Sequence, residues 1–214
     1  MKLFEKRTND MKKIIILMSV LFMTGCAGSM SWVAWRGYDD PVKSPPPGSY
    51  ENIAGECFKV GTQNLNNEQR TAILEAASSV CSAIKSEEFK NRVQSLEWLA
   101  SCDLKSNGKP DTLQGLEVFK IINTGIPDFS VNPKYPWMAI AQAQKSENRM
   151  AIKPPRINGW YSSNKGALIN TIAHESTHLI SYSFKDRGHG SDSCPDSKLV
   201  SYGIGNLIEE LALK

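Results

Sequence analysis

The three histidines of this 214-residue chain are clustered. His174, His178 and His189 all lie within the sequence AHESTHLISYSFKDRGH. His174 and His178 are four positions apart, which on an α-helix places both imidazoles on one face, close enough to bind one metal ion. Glu175 lies about 100° round the helix from His174, where its carboxylate can reach a water molecule at the metal. The pattern therefore predicts His174 and His178 as metal ligands and Glu175 as a general base.

The identity of the third ligand is less constrained. A structural zinc site has four protein ligands, whereas a catalytic site has three and leaves one position open. We favour His189 as the third ligand, because its two glycine neighbours give the backbone freedom to turn the imidazole back towards the helix. Asp192 in the same segment, and Glu209 or Glu210 near the C-terminus, are the alternatives that the sequence leaves open.

The elements that carry these residues are predicted to be mainly helical. Apolar residues recur at helical spacing from Lys165 to Tyr182, so the histidine motif lies on a helix with Ser162, Ser163 or Asn164 as N-cap. Residues 112–129 form either a helix or a strand. The same periodicity predicts further helices over 67–84, 87–101 and 197–213.

A short strand is predicted directly before the histidine helix. Residues 148–159, NRMAIKPPRING, alternate between polar and apolar residues at first and then contain two consecutive prolines. Proline cannot donate a hydrogen bond to a neighbouring strand and is tolerated at a sheet edge. The segment is therefore predicted to be an edge strand.

The N-terminus has the features of an export signal. Two lysines precede an apolar run that ends at MTGC, residues 23–26, and the run is shorter than the roughly 20 residues that span a bilayer. MTGC resembles the bacterial lipobox, which implies removal of residues 1–25 and lipidation of Cys26. Ala27 implies sorting to the outer membrane. Residues 26–50, rich in Pro, Gly and Ser, are predicted to be a tether, and 51–214 the functional domain.

Charge and cysteine content narrow the class of protein. Residues 1–25 carry five basic and two acidic residues, so their removal changes the formal net charge from +3 to zero. A neutral chain without a basic run does not suit nucleic-acid binding. Four cysteines remain after Cys26, an even number that predicts two disulfides in an exported protein. We expect the pairs to be Cys81–Cys102, joining adjacent helices, and Cys57–Cys194.

Residues 148–210 resemble the core of a zincin metallopeptidase. NTIAHESTHLI matches the zincin active-site helix at His174, Glu175 and His178, and MAIKPPRIN lies where zincins have the edge strand that pairs with an extended substrate. The resemblance implies an α+β fold, mainly helical, with a small sheet whose edge strand precedes the active-site helix. It also implies one zinc ion and hydrolysis of peptide bonds.

The subgroup within the zincins is not fixed by the motifs. Metzincins have HExxHxxGxxH, which this chain lacks, and gluzincins take a glutamate from a downstream helix, which NLIEEL resembles. Aspzincins, the deuterolysin and peptidyl-lysine metalloendopeptidase group, join HExxH to GTxDxxYG, and GHGSD with the later SYG resembles that pattern in part. By this analogy Tyr202 is the candidate to stabilise the oxyanion, with Arg187 and Tyr161 as further candidates.

The expected function is a zinc-dependent peptidase, held by lipidated Cys26 at the periplasmic face of the outer membrane and acting on peptides or proteins. One alternative is a non-catalytic zinc-binding or protein-binding envelope lipoprotein. Glu175 favours catalysis, because metal storage does not require a base beside the first ligand. Another alternative keeps the enzyme and makes the peptide part of peptidoglycan its substrate.

Overall fold

The computed structural model describes residues 50–62, 64–104, 108, 110–134, 139–162, 164–186 and 194–214. The predicted signal peptide, Cys26 and the tether up to residue 49 lie outside these ranges, as do Arg187, His189 and Asp192. Tyr50, predicted to end the tether, is instead the first residue of a strand. Within the described ranges, no helix is long and apolar enough to cross a membrane.

The described chain is a mixture of helices and strands, which confirms the predicted α+β class. The strands are β1 (Tyr50–Asn52), β2 (Lys59–Gly61), β3 (Glu97–Leu104), β4 (Pro110–Gln114), β5 (Phe129–Asn132), β6 (Ala141–Gln144) and β7 (Arg149–Ile152). The α-helices are α1 (Asn67–Lys85), α2 (Glu87–Gln94), α3 (Gly115–Gly125), α4 (Pro154–Asn158), α5 (Lys165–Ile180) and α6 (Val200–Ala212).

Five strands form a mixed sheet in the order β1-β2-β5-β7-β6. The three central strands run parallel, and β1 and β6 pair antiparallel with them at the two edges. The segment predicted to be an edge strand contains β7, which lies inside the sheet between β5 and β6. The predicted edge position is therefore wrong. Met150, Ala151 and Ile152 are consecutive buried residues, as expected of an interior strand, and the prolines follow the strand in α4. The edge strand next to β7 is β6, and all four of its residues are half-buried.

Strands β3 and β4 form a separate antiparallel hairpin. The predicted helix over 87–101 is correct only for its first half, because α2 ends at Gln94 and β3 follows. Leu96, expected on the apolar face of that helix, is 49% exposed. Trp98, Leu99 and Ala100 are buried in succession, which suits a strand covered on both faces and not an amphipathic helix. Residues 112–129 divide between the end of β4, α3 and the first residue of β5.

Helices α1, α5 and α6 lie close to their predicted positions. Asn66 caps α1 through a reciprocal pair of hydrogen bonds with Gln69, so the first turn is well defined. Asn164 is the N-cap of α5. The three helices share one apolar core with the five-stranded sheet, and this packing fixes α5 beside the sheet.

Two disulfides are present, with pairings that differ from those expected. They join Cys57 to Cys81 and Cys102 to Cys194, with Cα atoms 5.7 Å apart in each pair. The expected pairs are wrong because Cys102 lies on β3 and not on a helix. From β3 its side chain reaches the segment before α6, whereas Cys81 on α1 faces the turn between β1 and β2.

Candidate metal centre

Helix α5 presents two imidazoles towards one point. His174 and His178 lie one turn apart, as their spacing predicts, and their Nε2 atoms are 3.3 Å apart. Zinc–nitrogen bonds of about 2.0–2.1 Å in a tetrahedron place two ligand atoms about 3.3–3.4 Å apart. The separation of the two nitrogens therefore suits a shared metal ion.

Asp186 completes the cluster. Its Oδ2 atom lies 2.9 Å from Nε2 of His174 and 3.0 Å from Nε2 of His178. These three side chains are the one group of metal-competent residues found within the described ranges. Two imidazoles and a carboxylate form a donor set that suits zinc and related divalent cations. The residues therefore fit the predicted metal, with Asp186 as the third donor.

Strand β3 and helix α6 position Asp186. The backbone N–H of Lys185 donates to the carbonyl of Ala100 on β3 at 3.0 Å, which ties the segment after α5 to the hairpin. On the other side, the hydroxyl of Ser201 in the first turn of α6 donates to Oδ1 of Asp186. The carboxylate thus has one oxygen held by α6 and the other directed at the two histidines.

A backbone carbonyl orients His178. Its Nδ1 lies 2.8 Å from the carbonyl oxygen of Phe184, an arrangement in which Nδ1–H donates and Nε2 faces Asp186. Hydrogen bonds of this kind fix the ring orientation of histidine ligands and raise their basicity. His178 is therefore held ready to bind a cation through Nε2.

The metal-free centre is an ion pair. Burial lowers the pKa of His178, but the hydrogen bond that it donates to Asp186 and the charges of Glu175 and Asp186 outweigh burial and raise the pKa to about 9. Burial raises the pKa of Asp186, and hydrogen bonds with both histidines then bring it well below the usual range. At neutral pH a proton is thus shared where the metal ion would bind.

Glu175 lies beside the cluster and is only 6% exposed. Burial raises the pKa of its carboxyl, while the nearby charges of His174 and His178 and a hydrogen bond from the N–H of Ala143 act in the opposite direction. The net effect is a pKa above the ordinary value. A carboxylate of raised pKa is suited to accept a proton and return it near neutral pH.

His174, Glu175 and Asp186 line a cleft of about 440 Å³. His178 is not among its lining residues. Its walls come from the loop before β6, from α4 and α5, and from Tyr202 on α6. The Tyr202 ring meets the ring of His174 edge-on, with centroids 4.6 Å apart. Burial, followed by the charges of Asp186, Asp196 and Glu175, raises the pKa of Tyr202 to about 12. The phenol is therefore protonated at neutral pH and able to donate.

Other sequence candidates lie elsewhere. Glu209 accepts a hydrogen bond from Asn170 at 2.9 Å, and Glu210 pairs with Arg92 at 2.7 Å, so neither joins the histidines. The hydroxyl of Tyr161 donates to a backbone carbonyl of α1, and its ring is 56% exposed outside the cleft. Tyr161 is therefore wrong as an oxyanion donor.

Sequence reasoning missed Asp186. It follows His178 by eight residues, in the same segment as Asp192, and no motif or periodicity distinguishes the two. The GTxDxxYG comparison pointed towards an aspartate in this segment and selected Asp192, whereas Asp186 is the one found beside the histidines within the described residues. His189 and Asp192 themselves fall outside the described residues.

Comparisons with protein-family models, with curated proteins and with solved structures gave no match.

Proposed function

We propose that this protein is a zinc-dependent peptidase of the zincin type that acts in the bacterial envelope. The observation that supports it is the convergence of His174, His178 and Asp186 within 2.9–3.3 Å, beside a buried glutamate in the same cleft. In this proposal Asp186 takes the ligand position expected for His189.

The chain supplies a base and a hydrogen-bond donor for hydrolysis. Zinc held by His174, His178 and Asp186 would act as a Lewis acid, which would lower the pKa of a water molecule towards about 7 and polarise a peptide carbonyl. Glu175 would accept a proton from the attacking water and pass it to the departing amine, a transfer that its raised pKa favours. Tyr202, protonated at neutral pH, donates to the carbonyl oxygen as negative charge develops on it.

Strand β6 is suited to hold an extended substrate. It is the edge of the sheet nearest α5, and Ala141 at its start lines the cleft. The N–H of Ala143 is already used by Glu175 and so fixes the base relative to the strand. A peptide that pairs with the start of this edge strand, at Ala141, would lie along the cleft that His174, Glu175 and Asp186 line.

Replacement of Glu175 by Gln tests the proposal. The variant keeps its metal ligands, so we expect one zinc ion per chain, as in the wild type, measured by atomic emission. Hydrolysis of a mixed peptide library should fall by about 100-fold to 10,000-fold, because the general base is lost. Glu209→Gln, a matched change outside the cluster, should retain activity. Equal activity in the Glu175 variant and the wild type would contradict the proposal.

A further inference from the structure

Among the described residues that line the cleft, Arg156 is the one charged side chain apart from His174, Glu175 and Asp186. Arg156 on α4 lines the cleft together with His174, Glu175 and Asp186. A second cavity, of about 290 Å³, shares Arg156 with the first and adds Lys153. The two cavities also share Ile140, so they adjoin at Ile140 and Arg156.

Arg156 differs from the other arginines of the described chain. Arg70 pairs with Glu51, Arg92 with Glu210, and Arg149 with Glu147. In the parts of the chain that the structure describes, the side chain of Arg156 has neither an ion-pair partner nor a hydrogen-bond acceptor, and the same holds for Lys153. Arg156 is half-buried, and its guanidinium is therefore available to bind a carboxylate from another molecule.

Hydrogen bonds hold the main chain that carries both cations. The N–H of Lys153 donates to the carbonyl of Ile140 at 3.0 Å, and the N–H of Arg156 donates to the carbonyl of Lys153 at 2.9 Å. Ile157, next to Arg156, is fully buried and anchors the short helix in the core. The backbone at both positions is thus fixed relative to the loop that enters β6.

We infer that Arg156, assisted by Lys153, forms a subsite that binds a carboxylate of the substrate. A guanidinium forms two parallel hydrogen bonds with a carboxylate, which gives both charge and geometric selectivity. Arg156 lines the same cleft as His174, Glu175 and Asp186, so the carboxylate belongs to an Asp or Glu side chain, or to the C-terminus, close to the cleaved bond.

This inference rests on the proposed function and names its substrate class. Its test uses peptides that are identical except for Glu, Gln or Lys at each position near the cleavage site, each with a free or an amidated C-terminus. Cleavage by the zinc-loaded protein gives kcat/KM. Binding of the same peptides to the Glu175→Gln variant, followed by fluorescence anisotropy, gives a readout that does not require turnover.

We expect Glu peptides, or peptides with a free C-terminus, to exceed their neutral counterparts by about tenfold to a hundredfold in kcat/KM and in affinity. Arg156→Gln should remove this preference, Arg156→Lys should restore part of it, and Arg156→Glu should shift it towards Lys peptides. Lys120→Gln removes an exposed cation that does not line the cleft, and it should leave the preference for a carboxylate unchanged. The free and amidated termini identify which carboxylate is bound.

Three further outcomes separate the two proposals. Equal cleavage of Glu and Gln peptides with either terminus would overturn the carboxylate subsite and leave the peptidase standing. Binding that prefers a carboxylate and depends on Arg156, without cleavage of any peptide, would support the subsite and overturn the peptidase. Neither cleavage nor preferential binding would overturn both.

Discussion

Asp186 has two roles that depend on whether a cation is present. In the metal-free protein its carboxylate accepts hydrogen bonds from both histidines and compensates the charge of His178. In the proposed zinc-bound protein the same oxygen would be a ligand. A site held together by an ion pair in this way is preorganised, so that binding costs little side-chain entropy.

Zinc binding should release at least about one proton per chain at pH 7.5, one from His178 and a further fraction from a zinc-bound water whose pKa lies near 7. His178 has a pKa of about 9 in the metal-free protein and must lose its proton to bind. Calorimetry in two buffers of different ionisation enthalpy measures the number released. The raised pKa also stabilises the metal-free fold fully below about pH 6.5, and this contribution is lost as the pH rises through about 9. A binding enthalpy independent of buffer would show that His178 is already neutral.

Ser201 is expected to tune metal affinity without touching the metal. Its hydroxyl holds Oδ1 of Asp186, so Ser201→Ala frees the carboxylate to rotate. Loss of such an outer partner typically weakens metal binding by about tenfold to a hundredfold. Competition with a chelating dye measures the change, with Ser79→Ala on α1 as the matched control. An unchanged affinity would mean that the histidines alone set the position of Asp186.

Strand β3 is the element on which sequence reasoning failed and on which the site depends. Helices α1, α5 and α6 follow from apolar spacing within single segments, and so do the positions of His174 and His178. The strand follows from pairing with β4 and from hydrogen bonds to the segments that contain Lys185 and Leu199, which are remote in sequence. Local periodicity does not encode such partners, so Asp186 could not be placed.

The disulfide Cys102–Cys194 should support the metal centre, whereas Cys57–Cys81 should not. The first joins β3 to the segment before α6, so it links the two elements that hold Asp186. Its removal by double Cys→Ser replacement should cost about 2–4 kcal/mol of unfolding free energy and weaken zinc binding. Removal of the second is the matched control. It should lower stability, measured by denaturant unfolding, and leave zinc affinity intact; equal losses of affinity would contradict this assignment.

At the scale of the whole molecule, one apolar core unites the sheet with α1, α5 and α6, and the cleft opens at the edge of that core. The amphipathic helices and the predicted strand, together with the zincin resemblance, led to the α+β class. Strand order did not follow from the sequence, because β6 and β7 differ mainly in which neighbours cover them. Thus the histidine helix was predictable, and the sheet edge facing it was not.

The envelope location is a separate prediction that depends on Cys26. Cells expressing the full chain and fed labelled palmitate should incorporate label into the protein and place it in the outer-membrane fraction. Cys26→Ser should abolish labelling, because the lipobox then has no thiol to accept the diacylglycerol. Cys57→Ser is the matched control for loss of a cysteine. Labelling of the Cys26 variant, or a soluble wild-type protein, would contradict the lipoprotein assignment.

The most direct test of the metal centre compares zinc binding by Asp186→Ala and His189→Ala. The proposed ligand set predicts that Asp186→Ala weakens zinc binding by more than about a hundredfold. That loss exceeds the usual effect of removing a residue that only hydrogen-bonds to a ligand. The zinc affinity of His189→Ala should stay near that of the wild type. Dissociation constants from chelator competition at one pH and one zinc concentration decide between them. Intact affinity in Asp186→Ala together with its loss in His189→Ala would contradict the account.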